Sequence, residues 1–270
     1  MNRTGGYGFG RHVLGIAAFA FGVITLFWHD FDAWQHIQTL SSSPAGEILV
    51  RVISVLEMIG GLCIQWQRTE RAGAALLGVI YLFFALLCVP NIIAHPRSYG
   101  GGFGTFFEEF SLVCGAWIVY WAAEAPTPWR ALQIGRYAFG LCLVSFTLEQ
   151  ALYLQDTAEF VPKWIPPSQM FWAAGTTVAF ALAAIALFTG LLAPLASKLT
   201  TAMIVGFGLL IWVPMTFFDP HTHLNWAGVA QNFAICGAAW IVAELLEQQR
   251  DVDPPIGERV RIAIRKGPTY

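Results

Sequence analysis

Long apolar runs, each bounded by charges or turn residues, divide the chain at 12–30, 50–67, 72–94, 105–123, 135–154, 169–192, 199–218 and 226–247. About 20 apolar residues cross a hydrocarbon core as a helix. None of the runs shows the strict alternation of a barrel strand, and a helix satisfies its own backbone groups in lipid. The pattern therefore predicts an all-α, polytopic membrane protein of eight transmembrane helices. The second run is short and the fourth has a polar entrance.

The runs are written twice. Gly10, Arg11, Gly15 and Phe21 reappear as Gly135, Arg136, Gly140 and Phe146; Val89-Pro90 as Val213-Pro214; Ala116-Trp117-Ile118-Val119 as Ala239-Trp240-Ile241-Val242. Four spans per copy give both copies the same orientation, which predicts two tandem parallel four-helix repeats about a pseudo-twofold axis along the membrane normal. The predicted divisions are a first repeat over 1–124, a cytoplasmic linker over 125–134, a second repeat over 135–247 and a basic cytoplasmic tail over 248–270. The prolines near 124–130 stop the fourth helix before the fifth begins.

Composition agrees with this class. The chain is 56% hydrophobic and 12% charged with mean hydropathy +0.58, whereas a soluble domain carries about 25% charged residues. Of the 15 Lys and Arg, only Arg51, Arg97 and Lys163 fall on one side of the eight-span arrangement. The excess on the other side, from Arg3 and Arg11 to the tail residues Arg259, Arg261, Arg265 and Lys266, marks it as cytoplasmic, with both termini there. The tail reads either as a headgroup-bound segment or as a solvated topology determinant. The basic start of the first run resembles a secretory leader, but its internal counterpart at 135–154 argues for a retained span. The expected location is a bacterial cytoplasmic membrane.

Ionisable and amide side chains within spans are costly and mark candidate sites. At about 1.5 Å rise per residue, Glu57 lies about 9 Å below the outer face. Glu149 and Gln150 lie at similar depth, as do Gln231 and Asn232, while Glu108 and Glu109 open the fourth span and Asn91 closes the third. These groups crowd the outer third of the bilayer over an almost wholly apolar floor. They predict a polar chamber reached from the non-cytoplasmic side, lined by Glu149, Gln150, Glu57, Glu108, Asn232 and Gln231. Interhelical hydrogen bonding is the competing account, above all for Gln231 and Asn232. Glu108 and Glu109 align with Gln231 and Asn232, so one helix position is charged in one half and neutral in the other.

Other features carry less chemistry. Pro90 and Pro214 either kink their helices or end them. Gly60-Gly61, Ala74 with Gly78, Gly206 with Gly208, and Gly237 read as helix-packing positions. Five histidines (His29, His36, His95, His221 and His223) lie on the predicted outer side. The segments His29-Asp30-Phe31-Asp32 and Asp219-Pro220-His221-Thr222-His223 hold metal-ligand residue types, but no helical HxxxH face is present. Trp28, Trp34, Trp164 and Trp226 suit an interfacial belt. Five cysteines, all within apolar runs and none in a CxxC, argue against thiol–disulfide activity.

Several of these segments resemble the DoxX-like membrane proteins. Glu159-Phe160-Val161-Pro162-Lys163-Trp164-Ile165-Pro166-Pro167 is similar to that family's loop between its first two helices, and Gly190-Leu191-Leu192-Ala193-Pro194 to its next turn. Leu56-Glu57-Met58-Ile59-Gly60-Gly61-Leu62 resembles the family's second helix, with Arg71-Ala72-Gly73-Ala74-Ala75 at its exit. The resemblance covers about 10–247 as two family units, and extends through Trp28-His29-Asp30-Phe31 to double-length, uncharacterised bacterial members. It implies a four-helix fold per unit and, for some members, partnership with quinone-linked oxidation complexes. Double-length members carry histidines near the places of Gln150 and Val178, which this chain lacks; that casts doubt on a family-wide proton-coupled mechanism here.

The functional expectation is a membrane protein binding a small or lipophilic, quinone-like molecule in the outer chamber. The alternatives are a membrane subunit of a quinone-linked oxidoreductase and an envelope scaffold. No cofactor signature is evident, so a quinone is the only cofactor considered, and catalysis by the isolated chain is not expected. Expected partners are the lipid bilayer, a redox subunit on the second reading, and further copies of the chain as a homo-oligomer. No nucleic-acid partner and no metal are expected.

Overall fold

Ser43 accepts a hydrogen bond from the Gly46 amide at 3.0 Å, and Ser168 one from the Phe171 amide at 3.2 Å. Each caps the start of a long helix, satisfying a backbone donor that the helix leaves orphaned. In a computed structural model that describes residues 8–31, 43–124, 126 and 128–252, the chain is all-helical, with no strand among the described residues. The features at Arg3, Asp32, Trp34 and His36, the linker positions Ala125 and Thr127, and the basic tail with Arg259, Arg261, Arg265 and Lys266 lie outside the described residues.

The elements in order are α1 (Phe9–Trp28), α2 (Pro44–Cys63), α3 (Glu70–Leu87), α4 (Val89–Ala94), α5 (Gly104–Ala122), α6 (Trp129–Leu152), α7 (Leu154–Phe160), α8 (Gln169–Thr189), α9 (Ala193–Phe207), α10 (Val213–Phe218) and α11 (His223–Val252). Short π-helical turns occupy Tyr99–Phe103 and Gly208–Trp212. Six segments are long and apolar enough to cross a membrane: Phe9–Trp28, Glu70–Ala94, Trp129–Leu152, Gln169–Thr189, Ala193–Phe218 and His223–Arg250. Two of the eight predicted spans, α2 and α5, fall outside this set.

Both prolines act as breaks within helices. The helix ending at Leu87 resumes at Val89 and runs beyond Pro90 to Ala94; in the later helix a π turn precedes Val213-Pro214, and α10 continues to Phe218. Gly190, at φ 81°, closes α8 in the left-handed conformation that a residue without a Cβ adopts freely.

The long helices form a closed ring in the order α1, α2, α3, α5, α6, α8, α9, α11 and back to α1, with α5 and α11 also touching across the middle. Helix α1 packs chiefly on α2 and on α11, and α6 chiefly on α8 and on α5. Close approach needs glycine at several crossings. A Cβ on Gly10 would stand 2.6 Å from the Ile241 nitrogen, one on Gly237 2.8 Å from the Leu14 Cα, and one on Gly61 2.8 Å from the Phe19 nitrogen. The expected packing roles of Gly60, Gly61 and Gly237 hold. Gly206 departs from expectation: no atom lies within 4 Å of where its Cβ would be, so it faces open space rather than a neighbouring helix.

One end of the ring is tied by ions and capping groups. Buried Arg11 pairs with Glu70, Arg71 with Glu124 at 3.1 Å, and Lys198 with Glu247. The Glu244 carboxylate accepts the Phe9 and Gly10 amides at 2.8 and 3.2 Å, joining the first helix to the last. At the opposite end, Trp28 stacks on His223 with ring centroids 5.1 Å apart.

Candidate functional site

At that opposite end, α6 stops at Leu152 and the chain turns into the short helix α7, followed by a proline-rich loop. The loop is pinned to the start of α8: Gln169 donates to the Val161 carbonyl at 2.6 Å, and the Trp172 indole to the Pro166 carbonyl at 2.9 Å. Helix α7 and this loop roof a cavity of about 670 Å³, walled by α6, α8, α9 with its π turn, and α11. Its floor is apolar, with Phe146, Phe180, Ile204 and Ile235. The π turn at Gly208–Trp212 carries Leu210, Ile211 and Trp212 into the wall. Such bulges often accompany functional sites because they re-aim side chains that a regular helix would place elsewhere.

The cavity gathers Glu149, Gln150, Glu108, Gln231 and Asn232. Glu149 lies against Gly104, where a Cβ would stand 2.6 Å from its carboxyl carbon. The Gln150 carbonyl accepts from Thr177 at 3.1 Å and Thr176 at 3.2 Å, which leaves its amide nitrogen to face other partners. Gln231 is 2% exposed, and neither of its amide atoms has a partner within the protein; Asn232, 7% exposed, has a carbonyl oxygen in the same condition. Gly208 makes room for that oxygen, since a Cβ there would stand 2.6 Å from it. The competing account, interhelical hydrogen bonding, finds no protein partner for these three atoms. A buried amide left without a partner costs about 1–3 kcal/mol, so a polar occupant of the cavity would relieve a standing penalty.

Glu57 corrects the predicted set. It lies outside the cavity and is fully buried in α2; it and Glu109 are the charged groups that act on the Tyr81 phenol. Depth along a helix is readable from sequence, but the direction a side chain faces depends on which neighbour covers it. Glu108 and Glu109 show this best. Adjacent on α5, they differ in surroundings: Glu108 lines the cavity, while Glu109 does not and acts on Tyr81.

Sequence reasoning missed Tyr153, Asp156, Thr157, Trp172 and Trp212, all of which line the cavity. Asp156 lies on α7, beyond the end of the helix that carries Glu149. Behind Glu149, the Tyr99 hydroxyl donates to Ser145 at 2.8 Å. Burial pushes the Tyr99 phenol above its ordinary pKa and the Glu149 charge adds to this, against the opposing pull of the Ser145 bond.

Around the histidines expected on the outer side, Asn225 donates to the Asp219 carbonyl at 2.9 Å and the His223 ring lies on Trp28. Among the described residues no group of three His, Cys, Asp or Glu side chains could hold a metal ion. Comparison with family models, curated proteins and solved structures finds no match for the chain.

Proposed function

We propose that the chain is an eight-span, double-length DoxX-like membrane protein whose second four-helix repeat binds a small lipophilic molecule with a polar head, quinone-like in size. The two-repeat reading is supported by packing that matches helix for helix: α1 with α2 and α11 on one side, α6 with α8 and α5 on the other. Helix α2 exposes Ile48, Val52, Val55, Ile59 and Leu62, a continuous apolar stripe suited to lipid. Helix α5 is held among α3, α6 and α11 and needs little hydrophobicity of its own to span the bilayer. The lysine and arginine excess puts the ion-tied end in the cytoplasm and the cavity on the outer side of a bacterial cytoplasmic membrane.

At the offset relating Val89-Pro90 to Val213-Pro214, Tyr81 and Phe84 correspond to Val205 and Gly208. The first half thus buries two bulky rings where the second carries smaller residues, and Gly208 there admits the Asn232 carbonyl oxygen, a Cβ on it standing 2.6 Å from that atom. The observation that carries the function is Gln231: an amide sealed from solvent, without a protein partner, in the wall of a ligand-sized cavity.

The test is thermal unfolding of the purified chain with a panel of lipophilic, polar-headed compounds that includes decylubiquinone. At least one is expected to stabilise the wild type, with the response changed in Glu149→Leu. If that variant is simply more stable and every compound acts on it as on the wild type, the cavity is not a ligand site.

A further inference from the structure

We propose that the cavity takes its occupant sideways out of the bilayer: a single-chain amphiphile whose polar head rests at Gln231 while its hydrocarbon chain lies in an opening between α8 and α9. This rests on the reading of the cavity as a ligand site. The other seams around the cavity are filled. Between α6 and α8, the Gln150 carbonyl accepts from Thr176 and Thr177 at 3.2 and 3.1 Å. Between α5 and α6, Glu149 packs onto Gly104, where a Cβ would stand 2.6 Å from its carboxyl carbon. Between α9 and α11, the Trp212 ring lies so close to Gly228 that a Cβ there would overlap it, and the Asn232 carbonyl fits against Gly208.

The seam between α8 and α9 differs. Phe180 and Phe207 meet edge to face, with centroids 6.2 Å apart, and close its part nearer the ion-tied end. Beyond them, Gly206 on α9 lines the cavity with no described atom within 4 Å of where its Cβ would be, and Gly175 on α8 is equally bare. Trp172 and Leu210, also in the lining, are exposed. Around this rim Phe171, Val178 and Leu182 of α8 and Leu209 of α9 are exposed and apolar. A gap with such walls gives water no polar partners, so at membrane depth it is filled by hydrocarbon. On the α11 wall, Gln231 holds one donor and one acceptor, neither partnered among the described residues. A hydroxyl-bearing head answers both. The occupant is therefore polar at one end and a chain at the other. Ser98 and Asp156, exposed members of the lining, give the competing route, from water.

The probe is a monoacylglycerol with a diazirine close to its head, carried in phosphatidylcholine nanodiscs that hold the full chain; photolysis and peptide mapping locate the label. Label is expected on the cavity floor, at Phe146 or Ile235, as well as on the exposed apolar stripe of α2. Gly206→Phe sets a ring into the opening and is expected to lose the floor label while keeping the α2 label and its thermal stability; Gly206→Ala is expected to keep both labels. If Gly206→Phe does not fold, a monoacylglycerol with the diazirine at its chain end decides in the wild type. Its label is expected at Trp172 or Leu210 and not on the floor. No floor label in the wild type, a floor label undiminished in Gly206→Phe, or a chain-end label on the floor overturns the lateral route. A thermal response to the tail-less benzoquinone head of decylubiquinone then keeps the cavity as a ligand site reached from water. With no response to that compound or to any other in the panel, both readings fall.

Discussion

Gly135 meets Ile118 as Gly10 meets Ile241: a Cβ on Gly135 would stand 2.6 Å from the Ile118 side chain, and one on Gly10 2.6 Å from the Ile241 nitrogen. The four residues belong to the two most conspicuous repeated strings of the sequence, and each glycine docks onto the other half of the chain. The matching strings therefore meet each other where the first part of the chain contacts the second.

A side chain at either glycine must push two helices apart. Gly135→Leu and Gly10→Leu are each expected to lower stability by about 1–3 kcal/mol through overpacking. Gly175→Ala, at a position with no atom within 4 Å of the added carbon, is expected to be neutral or slightly stabilising. Thermal unfolding of the three variants in one detergent checks the order; equal losses in all three would show that the close approach is not tight.

Gln231 offers a sharper separation of stability from function. Gln231→Leu removes an unpartnered buried amide and keeps most of its volume, so the ligand-free protein is expected to hold its stability or gain about 1–2 kcal/mol. Any cavity ligand is expected to bind more weakly to it. A marked loss of ligand-free stability would instead mean that this amide holds the helices together.

Topology is open to a direct measurement. In a cysteine-free background, Lys163→Cys is expected to react with a membrane-impermeant maleimide added to intact cells, and Lys198→Cys only after permeabilisation. Both side chains are exposed, so reagent access does not limit either reaction. The reverse pattern would invert the assignment of the cavity to the outer side.

Much of the fold is legible in the sequence because membrane helices announce themselves by length and apolarity. The polar layer was equally visible, and most of the groups in it meet in one cavity. What sequence could not supply was azimuth. Glu57 shares a depth with Glu149 yet faces Tyr81, and Gly206 looks like a packing glycine yet borders empty space. Helix α7 was missed because seven residues of mixed polarity, Leu154–Phe160, give no periodic signal against the proline-rich stretch that follows. The roof of the cavity, and with it Tyr153 and Asp156, went unread for that reason. Glu70 likewise gave no sign that it pairs with Arg11 across 59 positions of chain.

The ring order has a consequence for how such a protein can diversify. Helix α1 leans on α11 and α6 leans on α5, so each group of four helices completes its packing with the last helix of the other. One group standing alone would leave the face of its first helix bare and would need a twin to cover it. Two identical twins must carry the same interior, whereas two halves on one polypeptide can differ at any residue. If the two groups are fused repeats, one can bury Tyr81 and Phe84 while the other lines a cavity, each held in shape by its unlike neighbour.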